Sequence, residues 1–371
     1  MTEKQIEIIN TLNENVEKLD KKDFDVYFYV LDTKNTPSGS LSYIYETALT
    51  LQTMGYRVTM LHNDNEFVGV REWMGDEYAD IPHANIEKEN VEIKPSDFLF
   101  VPEIFSNVLA QTKKLPCKRA VILQNFNYLT EFMPFGGGWS DMGIRDVITT
   151  TERQAQLAKE CFPYIETQIV PPAIKSLYYE GKEPKKMVVN IVAKNQSDVN
   201  RIVKPFYWKY PLYRWVSFRD LRGLPNSMFA DALREAAITI WVDTDTNFGY
   251  TPLEAMKSGS IVIGKIPEDI PEWMLTDDGN INDAGIWFDN INDIYPMIAS
   301  VVRTWINDAV PVELYSTMKT VNNKYTPTAQ KEAIEEVYVK NFFERRKNDF
   351  VEAINLIKNA PTENNAETDN E

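Results

Sequence analysis

The residues best suited to chemistry fall in the stretch 236–273, AAITIWVDTDTNFGYTPLEAMKSGSIVIGKIPEDIPEW. Residues 237–242 are a β-branched and aromatic run with the length of a buried strand. A polar turn over 243–250 follows, with Gly249 inside it. Thr251 has the character of an N-cap, Pro252 of a first helical residue, and Glu254 of the reciprocal partner in a capping box. Gly259 then ends a brief helix, and 260–264 is a second apolar strand. Strand, turn, helix and strand make one right-handed crossover of a parallel sheet. Ligands collect beyond the C-terminal strand ends of such sheets, where backbone N–H groups and a helix N-terminus face the crevice. Asn247, Phe248, Gly249, Tyr250, Thr251 and Glu254 are therefore expected to form an anion-binding site. Gly249 stands where a side chain would obstruct a close backbone approach.

Three further places could contribute. The turn Pro37, Ser38, Gly39, Ser40 leads from the strand-like run 25–31 into a helix reaching about residue 54. Such small residues suit either a tight strand-to-helix turn or a ligand phosphate meeting the backbone at Gly39. Gln124 and Asn125 end the apolar run 119–123; they either satisfy a strand end or orient ligand hydroxyls, since amides donate and accept without changing charge. Lys194 follows the run 186–193, placed either for solvation or to meet a bound anion.

The elements that must hold these residues alternate strand and helix, as in an α/β fold. Apolar runs at 56–61, 97–101, 146–150, 167–170 and 215–218 read as strands, and 152–161 and 227–235 as helices. Ile6, Ile9, Leu12, Val16 and Leu19 mark an amphipathic helix over 2–20, which either packs on the first domain or serves self-association. The segment 134–143, PFGGGWSDMG, reads as a lid or acceptor-binding loop carrying exposed Phe135 and Trp139, or as a plain connection. The expected division is a helix over 1–22, a domain over 23–172, a second over 173–325, a closing helix over 326–358 and a disordered acidic tail over 359–371.

The segment NFGYTPLEAMKSG resembles the nucleotide-sugar signature of the GT-B glycosyltransferases of retaining family four. Phe248, Gly249, Pro252, Leu253, Glu254, Ala255, Met256 and Gly259 match it. The family's first glutamate is replaced by Thr246, and its following glycine by Asn247. The resemblance extends more loosely over about 25–345, including 37–40, 124–125, 169–179 and Lys194. It implies two Rossmann-like doubly wound domains, each with a parallel sheet, facing across a cleft, with 23–172 as the acceptor domain and 173–325 as the nucleotide-sugar donor domain. Further expectations follow from it. A nucleoside-diphosphate sugar serves as co-substrate, with no separate cofactor and no metal. Glu254 holds the nucleotide ribose, while Lys194 and a second cation, Arg201 or Lys204, oppose the charge of the leaving diphosphate. Gly39 and Ser40 face the donor, and Asn125 lies near the reacting sugar. The loop 219–225 seats the base, and the closing helix returns to the first domain. Thr246 can make one of the sugar contacts of the missing glutamate, or Asp243 or Asp245 reaches in instead, so the donor sugar is expected to differ from the family's common glucose or mannose or to be held differently.

Composition narrows the alternatives. The 371 residues are enough for two domains. Thirty-nine basic against 55 acidic residues give a net charge of −16, which disfavours non-specific attraction to nucleic acid or anionic lipid, although 204–222 forms a local basic stretch. Two cysteines imply no disulfide framework, and two histidines leave little for a histidine metal site. Residues 1–10 lack the layout of a signal peptide and no apolar run has spanning length, so a cytoplasmic enzyme is expected. No full G-x-G-x-x-G is present, which argues against a dinucleotide dehydrogenase. The acceptor is open: a glycan, lipid or protein, or a hydroxymethylated DNA base as in phage-type enzymes. A non-catalytic nucleotide-sugar-binding subunit and a sugar-nucleotide epimerase are the remaining readings.

Overall fold

The computed structural model describes residues 1–242 and 248–360. Its frame is two sheets. The first contains β1 Asp25–Tyr29, β2 Arg57–His62, β3 His83–Asn85, β4 Phe98–Pro102, β5 Lys118–Leu123, β6 Asp146–Thr149 and β7 Glu166–Ile169, in the order β3-β2-β1-β4-β5-β6-β7. The second contains β8 Lys186–Val192, β9 Ser217–Asp220, β10 Ala236–Trp241, β11 Ile261–Lys265 and β12 Ile286–Phe288, in the order β12-β11-β10-β8-β9. Each ladder between these strands is parallel. Central strands covered by helices on both faces must be apolar throughout, and β4 and β10 are buried at every position. Strand order reverses between β1 and β4 in the first sheet and between β8 and β10 in the second. Those two switch points are where side chains and helix N-termini part to leave a crevice.

The chain crosses between the sheets twice, and the crossings are tied together: Ile174 N–H donates to the Tyr325 carbonyl at 2.9 Å. After the second crossing, helix Pro327–Ile334 runs through a π-helical segment, Glu335–Glu344, into helix Arg345–Asn359. Ile334, Val337, Tyr338, Phe342 and Phe343 enter the core of the seven-stranded sheet, where the rings of Phe100 and Tyr338 meet at 4.7 Å. The N-terminal helix Glu3–Asp20 begins at a true capping box, Thr2 with Gln5, and packs along Arg345–Asn359. Its Leu19 is buried in the same core, and Asp20 pairs with Lys347.

Several expectations need correction. Trp139 is not an exposed lid residue: it is fully buried beside Phe162, with ring centroids 4.7 Å apart, whereas Phe135 is fully exposed. The short strand β3 and the helices Gln196–Lys209 and Val312–Asn322 have no counterpart in the sequence reading. Of the expected tail, Asn359 still belongs to the last helix, and 361–371 lie outside the described residues. No described helix is long and apolar enough to cross a membrane.

Candidate functional site

The site is built at the β8/β10 switch point. Beyond β10 the chain re-enters at Phe248, whose ring packs 4.9 Å from Tyr250 and 5.2 Å from Tyr325, and whose carbonyl accepts from Trp273 Nε1. Gly249 adopts φ 71° and ψ 74°, the left-handed region that L side chains avoid. Helix Tyr250–Lys257 starts there, with Gly249 as its cap residue and no side-chain cap among the described residues. The expected capping box is therefore absent. The left-handed Gly249 turns the chain early, so Tyr250 is the first helical residue, Thr251 the second and Pro252 the third. Glu254 lies too far along to reach back and turns elsewhere.

It turns into a polar cluster between the sheets. The Tyr178 hydroxyl donates to the Glu254 carboxylate. Lys175, on the first interdomain crossing, stands 3.0 Å from Glu46 Oε1 on helix Gly39–Thr53, and Ser42 Oγ donates to the same oxygen at 3.1 Å. Burial pushes Glu254 up to about 7, with the Tyr178 hydrogen bond and Lys175 opposing it and Glu46 adding to it. Burial raises Glu46 as well, against the pull of Lys175. The Tyr250 hydroxyl is buried and has no hydrogen-bond partner among the described residues.

Two joined cavities open from this cluster. One, of about 440 Å³, runs from Glu254, Tyr178 and Lys175 past Thr251 and Lys194 to Arg222 and Leu224. The other, of about 330 Å³, is bounded by Ser40, Gln124, Asn125, Trp241, Phe248 and Gly249. Ser38, Gly39, Lys194, Tyr250 and Thr251 line both. A larger cavity of about 550 Å³ lies on the far side of Glu46 and Lys175, and holds none of the sequence-predicted site residues.

The structure thus brings Gly39, Ser40, Asn125, Lys194, Phe248, Gly249, Tyr250, Thr251 and Glu254 to one cleft. Asn125 caps helix Phe126–Phe132, its Oδ1 accepting from Asn127 N–H at 2.9 Å, and its own N–H donates to Glu103 Oε1 at 2.8 Å. Gln124 Nε2 donates to the Ser40 carbonyl at 3.2 Å, fastening one wall of the cleft to the turn at its mouth. Thr246 and Asn247, with Asp243 and Asp245, lie outside the described residues.

Two readings change. Arg201 is not at the cleft: it sits on the exposed side of helix Gln196–Lys209, with its carbonyl held by the Tyr295 hydroxyl at 2.8 Å. Lys204 is also exposed on that helix. The cations that accompany Lys194 are Lys175 and Arg222, the latter clamped by Asp220 with both carboxylate oxygens 3.0 Å from Nε. Gly39 is small for a different reason than a phosphate: a Cβ there would meet the Tyr250 ring at 2.9 Å. Sequence reasoning missed Glu46, Lys175 and Tyr178. The signal available was a lysine and a tyrosine just after the doubled proline at the first crossing.

No family model matches the chain. It is 23% identical over 253 residues to an alpha-1,6-glucosyltransferase of Actinobacillus pleuropneumoniae serotype 7, covering 65% of this chain and 72% of that protein. Among solved structures it superposes on a glycosyltransferase from Rickettsia africae with a TM-score of 0.58 at 12% identity, covering 85% of this chain and 98% of that one. The pneumococcal O-GlcNAc transferase GtfA, solved with UDP and GlcNAc, gives 0.57 at 10% identity over 87% and 99%. Anabaena HepE, solved with UDP-glucose, gives 0.58 at 10% identity over 85% and 99%. With two parallel sheets meeting at one cleft and these superpositions over nearly the whole of each neighbour, the chain has the GT-B fold.

Proposed function

We propose that the protein is a glycosyltransferase that moves a hexose from a nucleoside-diphosphate sugar to an acceptor hydroxyl. The observation that carries this reading is the convergence of Lys194, the N-terminus of helix Tyr250–Lys257 and the Glu254 carboxylate on one cavity. In this reading the ribose hydroxyls donate to Glu254, the base lies along Leu224, and the diphosphate faces Lys194 and the helix N-terminus. The sugar occupies the cavity bounded by Asn125, Trp241 and Gly249. The bond from its anomeric carbon to the diphosphate oxygen breaks, a bond to the acceptor oxygen forms, and the acceptor proton is released. Lys194 and the first-turn N–H groups oppose the charge that develops on the leaving oxygen. Retention of configuration and membership of family four belong to this reading through the signature resemblance, and a cytoplasmic setting through the composition and hydropathy of the sequence. The unpaired Tyr250 hydroxyl supports it, since a buried phenol of this kind suits a ligand oxygen.

A second reading rests on Thr246, which stands in place of the signature's first glutamate. It makes the protein a binding subunit that holds a nucleotide sugar without turning it over. One experiment separates the two. Thermal shift against a panel of nucleotides and nucleotide sugars identifies the donor, and release of nucleoside diphosphate from that donor is then measured. Turnover that disappears in Glu254→Ala supports the enzyme; tight binding with no turnover supports the subunit. Absence of any nucleotide binding overturns both.

A further inference from the structure

The first sheet has its own switch point, between β1 and β4, and a fourth cavity of about 440 Å³ opens there. This lies within the ~300–1,000 Å³ typical of small-ligand sites. Its floor is Glu103 at the end of β4, buried, with one carboxylate oxygen held by Asn125 N–H. One wall is the helix Phe126–Phe132. That helix buries Leu129 in the sheet's core and leaves Tyr128 37% and Phe132 47% exposed, their rings edge to face at 6.4 Å. Glu131 projects beside them, and Leu31, Ile104 and Phe105 complete the apolar lining. Ser38, Ser40, Gln124 and Tyr128 belong both to this cavity and to the one bounded by Asn125 and Gly249, so the two are continuous.

The chemistry of the lining is selective. It carries two carboxylates, Glu103 and Glu131, and no lysine, arginine or histidine among its described residues. A ligand bearing phosphate or carboxylate would set its charge beside Glu131 and beside Glu103, whose carboxyl burial already pushes up to about 7, with no counter-charge in the lining, which repels it. A neutral hydroxylated ring meets no such penalty. Its C–H faces pack on aromatic and aliphatic side chains, and its hydroxyls donate to carboxylates. The resemblance already expects the acceptor in the first domain; we propose that the acceptor seated in this cavity is the terminal hexose of an electrically neutral glycan. This deepens the glycosyltransferase reading and rests on it for the cavity's role as acceptor site. The continuity with the sugar cavity delivers an acceptor hydroxyl past Tyr128 and Gln124 to the reacting carbon.

The test is a binding measurement that does not depend on turnover. Saturation-transfer NMR on the full chain compares methyl hexopyranosides and neutral hexose disaccharides with hexose 6-phosphates and methyl hexuronides. Neutral ligands are expected to bind and the anionic ones not to bind at matched concentration. Phe132→Ala should weaken the neutral ligands roughly three- to tenfold through loss of the aromatic face. Glu131→Lys, on the solvent side of the helix, should admit the uronide and the phosphate. Nucleotide binding by each variant, read by thermal shift, checks that it is folded. Stronger binding of the anionic sugars, no binding of neutral ones, or neutral binding indifferent to Phe132→Ala overturns the proposal. Failure of the parent reading shows separately, as loss of all nucleotide binding with sugar binding intact.

Discussion

The ring of Tyr250 occupies the space that a side chain on Gly39 would need: a Cβ there would lie 2.9 Å from Tyr250 Cδ2 and 3.1 Å from Cε2. Gly39 opens the helix that follows β1 in the first sheet, and Tyr250 opens the helix that follows β10 in the second. The two halves of the cleft are therefore in van der Waals contact where both N-termini meet. Gly39→Ala should force them apart, costing about 1–3 kcal/mol as overpacking does. A lower melting temperature and weaker nucleotide binding are expected, both partly recovered in Gly39→Ala/Tyr250→Ala. An unchanged nucleotide affinity in the single variant would show that the contact is dispensable.

Glu254 supplies a pH signature. Its carboxyl is pushed up to about 7 in the folded chain from an ordinary value of 4.5, chiefly by burial. The folded state therefore holds a proton that the unfolded chain gives up at lower pH. Stability attached to this group is greatest below pH 4.5, falls as pH rises towards 7, and is at its lowest above that. Denaturant unfolding at pH 5 and pH 8 should show a loss on the order of 1–3 kcal/mol from this carboxyl. Glu254→Gln, which cannot ionise, should flatten the profile; an equal slope in the variant would assign the effect to other groups.

Lys175 and Glu46 are both largely shielded from water, with 15% and 11% of their side chains exposed. Removing the lysine leaves two raised carboxyls, Glu46 and Glu254, facing one another without a cation. Lys175→Met should destabilise the chain by roughly 3–5 kcal/mol at pH 8, as for other broken buried pairs. At pH 5 the loss should shrink, because both carboxyls can protonate. Chemical denaturation of Lys175→Met and of Lys175→Met/Glu46→Gln measures the coupling, and additive effects would dissolve the pair.

Lys194 lines both donor cavities. If it opposes charge on the leaving diphosphate, Lys194→Ala should lower kcat about 10²- to 10³-fold, the usual effect of losing one transition-state donor. Binding of a nucleoside without phosphates should be unaffected. A variant with full kcat would move the role to Arg222 or to the helix N-terminus alone.

Within the segment 134–143 the two aromatics should behave oppositely. Trp139→Ala removes a fully buried ring and should cost about 3–5 kcal/mol. Phe135→Ala touches solvent only and should stay within ±0.5 kcal/mol. Melting curves of the two variants decide it.

These outcomes also mark what was legible in the chain. Buried parallel strands read directly, because β4 and β10 are almost wholly apolar and β1 and β5 become so after their charged first residues, with no competing period. β3 did not, since three residues with a histidine at their head carry no pattern. Helix Gln196–Lys209 was hidden by Pro205 within it, and the π-helical segment Glu335–Glu344 by its departure from the 3.6-residue period. At the site, Gly249 and Glu254 were visible as residue types, but one left-handed turn shifted the helix start and turned Glu254 towards Tyr178. Glu46 and Lys175, 129 positions apart, meet only because two sheets face each other. A single sequence contains no trace of that meeting.

The hydrogen bond between Ile174 and Tyr325 joins the only two covalent routes between the sheets within the described residues. Two adjacent cables clamped at one point behave as a door hinge. The second sheet can swing about that line, but it resists twisting around it or sliding along it. On the same side as Tyr325, Arg153 holds Asp269 at 3.2 Å and Glu152 N–H donates to Glu272 at 3.0 Å, a second tie between the two halves. Opening the cleft along that arc parts these ties together with the Tyr250–Gly39 contact, and the closed geometry is regained by returning along the same path.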